Sequence, residues 1–322
     1  MSDYLDASRI RALAAQLDLK PSKGRGQNFL LDANTVRRIV NLAQLAPGDV
    51  VLEIGPGLGS LTAGLLHSGA EVIAIEIEPA LAQRLPTTMG ELAPDMIDHL
   101  HVVEADALRV QPADLTTVAS SANAWPPRPT SAEDIDTSAT DRPGPSPTRL
   151  VANLPYNICV PVILHTLALF PSIERGLVMV QSEVADRLVA GPGSKVYGVP
   201  SAKLAWYADA RRVGSVPATV FWPAPNVESG LVSFARRNPP APPGDPSLPP
   251  ASRSATFDLI DAAFSQRRKM LRSVLTSHYG SLVQPALALV SIDPQARGET
   301  LSIDDFVRLT QALTSLGAVD VH

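Results

Sequence analysis

A single cysteine, Cys159, stands in a chain of 322 residues. One thiol makes no internal disulfide, so the fold has to hold by packing alone, as expected of a protein in a reducing compartment. The six histidines and the lone cysteine form no cluster with the spacing of a zinc site, and no metal is implied. No apolar run approaches the roughly 18 residues of a membrane-spanning helix. The opening MSDYLDASRI is polar and acidic where a secretory signal would be basic and then apolar. A cytoplasmic address without membrane association follows as an expectation.

Excess positive charge is also missing, since the net charge is -5. Its distribution matters more than its sum. Residues 91–141 hold ten acidic and two basic side chains, which leaves 25 basic against 22 acidic elsewhere. The acidity is therefore local. Short basic groups at 23–27 (KGRGQ), Arg211 and Arg212, Arg236 and Arg237, and 267–269 (RRK) are each able to meet a phosphate, and each is equally at home as solvated surface.

A hydrophobic content of 45% supports a sizeable core, enough for one large domain and one small one. Val36, Ile39, Val40 and Ala43 recur on one helical face after a possible cap at Asp32 or Asn34, and Pro47-Gly48 stops that helix. Short β-branched runs then alternate with helical stretches. Strands are expected at 49–54, 71–77, 99–105, 149–153, 176–181, 211–216 and 230–236, with helices from Ser60 and after Pro79. This alternation predicts an α/β fold, a mostly parallel sheet covered on both faces. The last two strands lack a helix between them and are expected to pair antiparallel at an edge.

Two segments break the pattern: 112–147 contains seven prolines among Ser, Thr, Ala and Asp, and 239–250 contains seven in twelve positions. Neither composition packs a core. The first reads as a disordered insertion, the second as part of a linker over 238–253. Residues 257–275 and 299–313 read as helices of a small C-terminal domain spanning 254–322, beside a larger domain of residues 1–237.

The chemistry concentrates at strand ends. Residues 50–61 (VVLEIGPGLGSL) give a strand, a glycine loop and a helix start, where Gly55, Gly57 and Gly59 let a ligand approach backbone. The spacing is G-x-G-x-G, with Ser60 where the dinucleotide fingerprint places a further Gly or Ala. A tight turn before a helix is the plain alternative. Glu76, 21 positions after Gly55, ends the second strand where a carboxylate accepts both hydroxyls of a ribose, and Asp106 follows the third strand, suited to an adenine amine. Each alone is equally a helix cap or an exposed strand end; together they are better explained by one adenosine.

Residues 151–160 (VANLPYNICV) put an amide, a proline and an aromatic ring directly behind a strand. An adenine exocyclic amine is a poor nucleophile because its lone pair is delocalised into the ring. The Asn153 side-chain oxygen and the Leu154 carbonyl can accept its two N–H bonds and favour a pyramidal nitrogen. Tyr156 can stack on a base taken out of its helix. An ordinary Asn-x-Pro-Tyr turn remains the simpler reading of this stretch by itself.

With these residues in view, the chain resembles the small-subunit ribosomal RNA adenine dimethyltransferases. The resemblance covers nearly everything outside the two Pro-rich segments and rests on 26–30 (GQNFL), 53–59 (EIGPGLG), 153–158 (NLPYNI), 182–198 (SEVADRLVAGPGSKVYG), 221–229 (FWPAPNVES) and 264–275 (FSQRRKMLRSVL), in family order. It implies a class I methyltransferase fold, a Rossmann-like seven-stranded sheet with a helical C-terminal domain. It further implies S-adenosylmethionine as cofactor and dimethylation of two adjacent adenosines in the 3'-terminal hairpin of small-subunit rRNA, in a late 30S assembly particle, by a monomer. By resemblance, Gln27, Asn28, Leu30, Gly55, Gly57, Glu76, Asp106 and Asn153 line the donor site. Tyr156 and Phe221 hold the target adenine beside Asn153 and Leu154, and Arg267, Arg268, Lys269 and Arg272 grip rRNA phosphates. Cys159 stands where the family often has Ser.

Three rivals stay open on sequence. A large-subunit rRNA methyltransferase of the macrolide-resistance type would share fold and site, although 264–275 and 191–198 favour the small-subunit enzyme. A non-enzymatic assembly factor would need the particle but not the donor. A nicotinamide dehydrogenase would show a His, Lys or Tyr arrangement for hydride transfer, and none stands out near the loop.

Overall fold

The structure, a computed structural model, describes residues 4–19, 27–119, 146–237 and 248–319. By packing, the chain divides into two compact units, one of Met1–Ser182 with Val213–Ser233, the other of Glu183–Arg212 with Phe234–His322.

The first unit opens with α1 (Ala7–Gln16), a two-residue strand β1 (Phe29–Leu30) and α2 (Ala33–Ala43). Between Asp32 and Asn34 the cap falls to Asp32, whose carboxylate accepts from the Thr35 N–H at 2.8 Å. A left-handed Gln44 ends the helix before Pro47-Gly48. Then come β2 (Val50–Ile54), α3 (Ser60–His67), β3 (Glu71–Glu76), α4 (Pro79–Leu92), β4 (Leu100–Glu104), α5 (Pro112–Ala119), β5 (Arg149–Asn153), α6 (Cys159–Leu169) and β6 (Arg175–Gln181). Each expected strand in this stretch is present to within a residue or two. The parallel register runs Val50↔Glu71 to Ile54↔Ile75, Glu76↔Glu104 and Asn153↔Met179. β2 and β3 are buried along their whole length, as a parallel strand covered on both faces must be.

After α7 (Ser182–Leu188) and α8 (Val199–Tyr207), β7 (Ala208–Val216), β8 (Phe221–Trp222) and β9 (Ser229–Arg236) complete the strands. The seven-stranded sheet has the order β4-β3-β2-β5-β6-β9-β7, with β9 and β7 adjacent and β7 outermost. β7 starts three residues before the expected 211. A second, two-stranded sheet pairs β1 with β8 antiparallel, Phe29↔Trp222 and Leu30↔Phe221; two residues carry no periodicity, so it has no sequence signal.

Three expectations need correction. The Pro-rich insertion begins as helix, since Pro112–Ala119 is α5; Pro112 sits at the helix start, where its missing N–H costs nothing. Residues 120–145 of that insertion, and 238–247 of the linker, lie outside the described residues. The single helix expected over 257–275 is two, α9 (Arg253–Phe264) and α10 (Leu271–Tyr279). Between them the chain turns: the Ser265 hydroxyl bonds back to the Ala262 carbonyl at 2.7 Å and the Leu271 N–H leaves for Ala296 O at 2.7 Å. Further on, α11 (Val283–Leu289) is followed by α12 (Ile303–Ser315), which starts at a Ser302–Asp305 capping box and not at 299.

The expected boundary at 237–254 also differs from the packing. Residues 183–212 belong with the C-terminal helices. Within that unit the buried Tyr197 donates its hydroxyl to Leu301 O at 2.9 Å, and Gly193 N–H bonds Glu299 O at 2.7 Å. Among the described residues no helix is long and apolar enough to cross a membrane.

Candidate functional site

A cavity of about 510 Å³ opens at the C-terminal ends of the parallel strands, the edge at which open α/β sheets take their ligands. Its floor is the turn from β2 into α3. Gly55, Gly57 and Gly59 all have positive φ, at 69°, 59° and 94°. At Gly59 a Cβ would stand 2.5 Å from Met89 Cε, and at Gly57 it would press the Phe29 ring at 3.0 Å. Both positions are tight, and the positive φ strains any side chain placed there.

Glu76 ends β3 beside this loop. One carboxylate oxygen accepts from the Gly57 N–H at 3.1 Å and the other from the Glu78 N–H at 3.0 Å. The side chain is thereby fixed, with a lone pair left on each oxygen. Burial raises its pKa, and the backbone N–H bonds pull the other way. Asp106, after β4, takes the Leu108 N–H at 2.9 Å. Between them Ile77, 65% exposed, offers apolar surface at the cavity.

Asn153, at the end of β5, donates its side-chain N–H to the Asn28 carbonyl at 3.1 Å. The bond assigns the two ends of the amide, since only Nδ2 can donate, and leaves Oδ1 as an acceptor. Asn28 is held through the residues that follow it. The Ser60 hydroxyl donates to Leu30 O at 2.7 Å, and the Leu31 N–H bonds Val220 O at 2.8 Å, so the segment of Gln27 to Leu30 runs along the cavity.

Gln27, Asn28, Leu30, Gly55, Gly57, Glu76, Asp106 and Asn153 all line this one cavity. Leu154, Tyr156 and Phe221 are not among its lining residues. The Leu154 side chain is buried and its N–H continues the sheet to Met179 O at 3.1 Å. Tyr156 is half-buried, with its hydroxyl 2.8 Å from Ser229 Oγ; burial raises that hydroxyl's pKa. Phe221 is only 2% exposed and packs in the core. Its backbone pairs opposite Leu30 in the β1–β8 ladder.

Sequence reasoning gave Glu53 no role, yet it lines the cavity, 1% exposed, in an otherwise apolar strand. Its Oε2 and Thr62 Oγ1 lie buried near each other without a well-formed hydrogen bond between them. Burial pushes its pKa up to about 8, with the Glu76 charge adding to the effect and the Thr62 hydroxyl opposing it. One polar residue inside the run VVLEI was the available signal. Among the described residues the lining holds Glu53, Glu76, Glu78 and Asp106 and no Lys, Arg or His.

The basic residues behave unequally. Arg267 pairs with Glu299 at 2.9 Å and donates to Lys195 O at 2.6 Å, all within the C-terminal unit. Arg268 and Lys269 are exposed on the turn after α9, and Arg272 is half-buried on α10.

The family profile described as ribosomal RNA adenine dimethylase matches residues 20–315. The chain is 52% identical over 318 residues to a ribosomal RNA small subunit methyltransferase A from Cutibacterium acnes, covering 98% of this chain and 96% of that protein. A protein of the same name from Thermobifida fusca is 51% identical over 317 residues, with 96% and 98% covered. Among solved structures, a dimethyladenosine transferase from Plasmodium falciparum superposes with a TM-score of 0.63 at 20% identity, over 90% of this chain and 98% of that one. The 23S rRNA methyltransferase ErmE does so at 0.57 and 24%, over 89% and 100%. At these identities the two structures speak for the fold alone.

Proposed function

From the premise that the chain belongs to the ribosomal RNA adenine dimethylases, we propose that it dimethylates two adjacent adenosines in the 3'-terminal hairpin of small-subunit rRNA, acting as a cytoplasmic monomer on a late 30S assembly particle. It is an S-adenosylmethionine-dependent rRNA adenine N6-dimethyltransferase. The choice of the small subunit over the large follows the name carried by relatives at about half identity.

One observation carries the reading at the level of chemistry: an acidic cavity with a glycine floor has an amide acceptor at its rim. S-adenosylmethionine, when bound, supplies an electrophilic methyl on a positively charged sulfur. The lining fits such a molecule, because a buried carboxyl oxygen without a well-formed hydrogen bond and three further acidic side chains suit a cationic nucleoside. Glu76 accepts the ribose hydroxyls with the lone pairs its two backbone bonds leave over. Asp106 accepts from the adenine amine, and Ile77 covers the purine face.

The target amine enters at Asn153. Its Oδ1 and the Leu154 carbonyl take the two N–H bonds, draw the lone pair out of the ring and aim it at the methyl group. Tyr156, tethered at its hydroxyl, stacks on the base. We assign Phe221 to seating β1, and through it Asn28, in place of base stacking. After one transfer a single N–H remains and either acceptor can take it, so the same site performs the second. Arg268, Lys269 and Arg272 contact rRNA phosphates.

The test is to incubate the protein with labelled donor and undermethylated small subunits and to locate the label by mass spectrometry. Dimethyladenosine at two neighbouring positions of the 3'-terminal hairpin is expected. Label in large-subunit rRNA, or monomethyl product that persists with excess donor, would overturn the assignment.

A further inference from the structure

Tyr156 stands on a turn that holds itself weakly. The bonds of this turn between β5 and α6 are long: the Ile158 N–H reaches the Pro155 carbonyl at 3.3 Å, and the Cys159 thiol, a weak donor, reaches the Tyr156 carbonyl at 3.4 Å. Neither touches the phenol ring. A ring on a half-buried turn keeps its two side-chain torsions free to change unless something fixes its far end.

That end is fixed by a residue 73 positions further on. The Tyr156 hydroxyl lies 2.8 Å from Ser229 Oγ, and either hydroxyl can donate. Ser229 is a firm anchor. It is wholly buried at the first position of β9, and the residue before it is bound as well, since the Ser182 N–H bonds Glu228 O at 2.9 Å. A buried hydroxyl costs free energy unless it is bonded, so Ser229 holds Tyr156 as firmly as Tyr156 satisfies Ser229.

Length makes the bond specific to tyrosine. β5 and β9 are not neighbours, because β6 runs between them and sets the two strands about 9.5 Å apart. The Tyr156 side chain therefore crosses the end of β6, and its hydroxyl is the atom that closes the span. Phenylalanine has the same ring and stops one atom short.

We infer that Ser229 is a positioning residue for methyl transfer: by holding the Tyr156 hydroxyl it fixes the plane of the ring on which the target adenine stacks, beside the Asn153 amide. The inference rests on the reading that Tyr156 is the base platform. Ser229 is not among the residues that line the donor cavity, so it acts through Tyr156 alone. A ring free to turn presents the base in many poses, and only some of them aim the amine at the methyl group.

The test is a double-mutant cycle on the full chain with S-adenosylmethionine and undermethylated small subunits, read as the single-turnover rate at saturating subunit and as donor affinity by calorimetry. Ser229→Ala and Tyr156→Phe should each slow methyl transfer roughly 10-fold and leave donor affinity unchanged. The double variant should be no slower than either single one, because all three lack the same bond. A serine with a purely structural role would lower the denaturant midpoint of Ser229→Ala and leave its folded fraction turning over at the wild-type rate, and that outcome overturns the inference. Rate losses that multiply in the double variant overturn it too. Should Ser229→Ala fail to fold, Tyr156→Phe decides, since it removes the hydroxyl at a half-buried position and leaves Ser229 in place: a slowed rate upholds the inference and a wild-type rate overturns it. Tyr156→Ala at the wild-type rate would remove the base platform and this inference with it, whereas failure of the wild-type protein to methylate small subunits would bring down the proposed function itself.

Discussion

The chain gathers charge in two places built on opposite terms. At the strand ends of the first unit four acidic groups surround a cavity, one of them wholly buried, and the backbone fixes Glu76 and Asp106 before any ligand arrives. In the C-terminal unit, Arg268 and Lys269 stand exposed on a turn, and only their neighbour Arg267 is tied down. Charge taken out of water acts strongly and at short range, whereas charge left in water acts weakly and is screened within about 8 Å at physiological salt. Change at the first place should therefore be costly and local, and change at the second slight and dependent on salt.

The sharpest way to break this contrast is at the cavity rim. Asn153→Ala should slow methyl transfer by about 10²- to 10³-fold, the usual cost of one preorganised polar partner, while donor affinity in calorimetry changes far less. A comparable effect on stability is expected at Glu53, with a sign set by its titration. Its carboxyl ionises near 4.5 when unfolded and at about 8 in the fold. Between these values only the unfolded chain gives up the proton, so the native state loses stability as pH rises and regains it toward pH 4.5. By pH 7 the loss is on the order of 3 kcal/mol. Denaturant melts at pH 5 and pH 7.5 should show Glu53→Gln gaining on wild type at the higher pH.

Smaller effects separate the two halves of the site. Tyr156→Ala should remove about 1 to 3 kcal/mol of base stacking and leave donor binding near wild type, whereas Glu76→Ala should weaken donor binding first. Paired calorimetry and single-turnover rates read the two patterns, and equal donor loss in both variants would erase the division between donor and base. The smallest effect belongs to the turn. Arg268→Ala or Lys269→Ala should shift the plot of log affinity for the small subunit against log salt by about 0.7 to 0.9 per lost contact. Arg267→Ala, whose charge is already paired within the fold, should cost ~1 kcal/mol of stability or less.

Much of the first unit was legible because parallel strands announce themselves. The runs at 71–76 and 149–153 have apolar interiors, and each hands its last residue, a polar one, to the ligand edge. Position along a strand thus predicted Glu76 and Asn153. Glu53 escaped because a carboxylate within such a run is read by its burial, which depends on what α3 lays over it. Phe221 is marked by its motif, whereas its burial in the core is shown only by the fold. The break at 265–270 hid inside a stretch of good helix formers, since the bond that pulls Leu271 away comes from Ala296, 25 positions on. Residues 183–212 likewise join the C-terminal helices through partners such as Leu301 and Glu299, which no local pattern announces.

The bond from Asn153 to the Asn28 carbonyl gives the end of β5 a direction as well as a functional group. An amide is polar along its own length, with a giving end and a taking end; a carboxylate of the same shape takes at both. Asn153→Asp, a change of one atom, would face the Asn28 carbonyl with a second acceptor and push apart the two segments that the amide now joins. Hydrolysis of that one amide during the life of the protein would do the same without any mutation. Asn153→Asp should therefore lose activity before it loses fold.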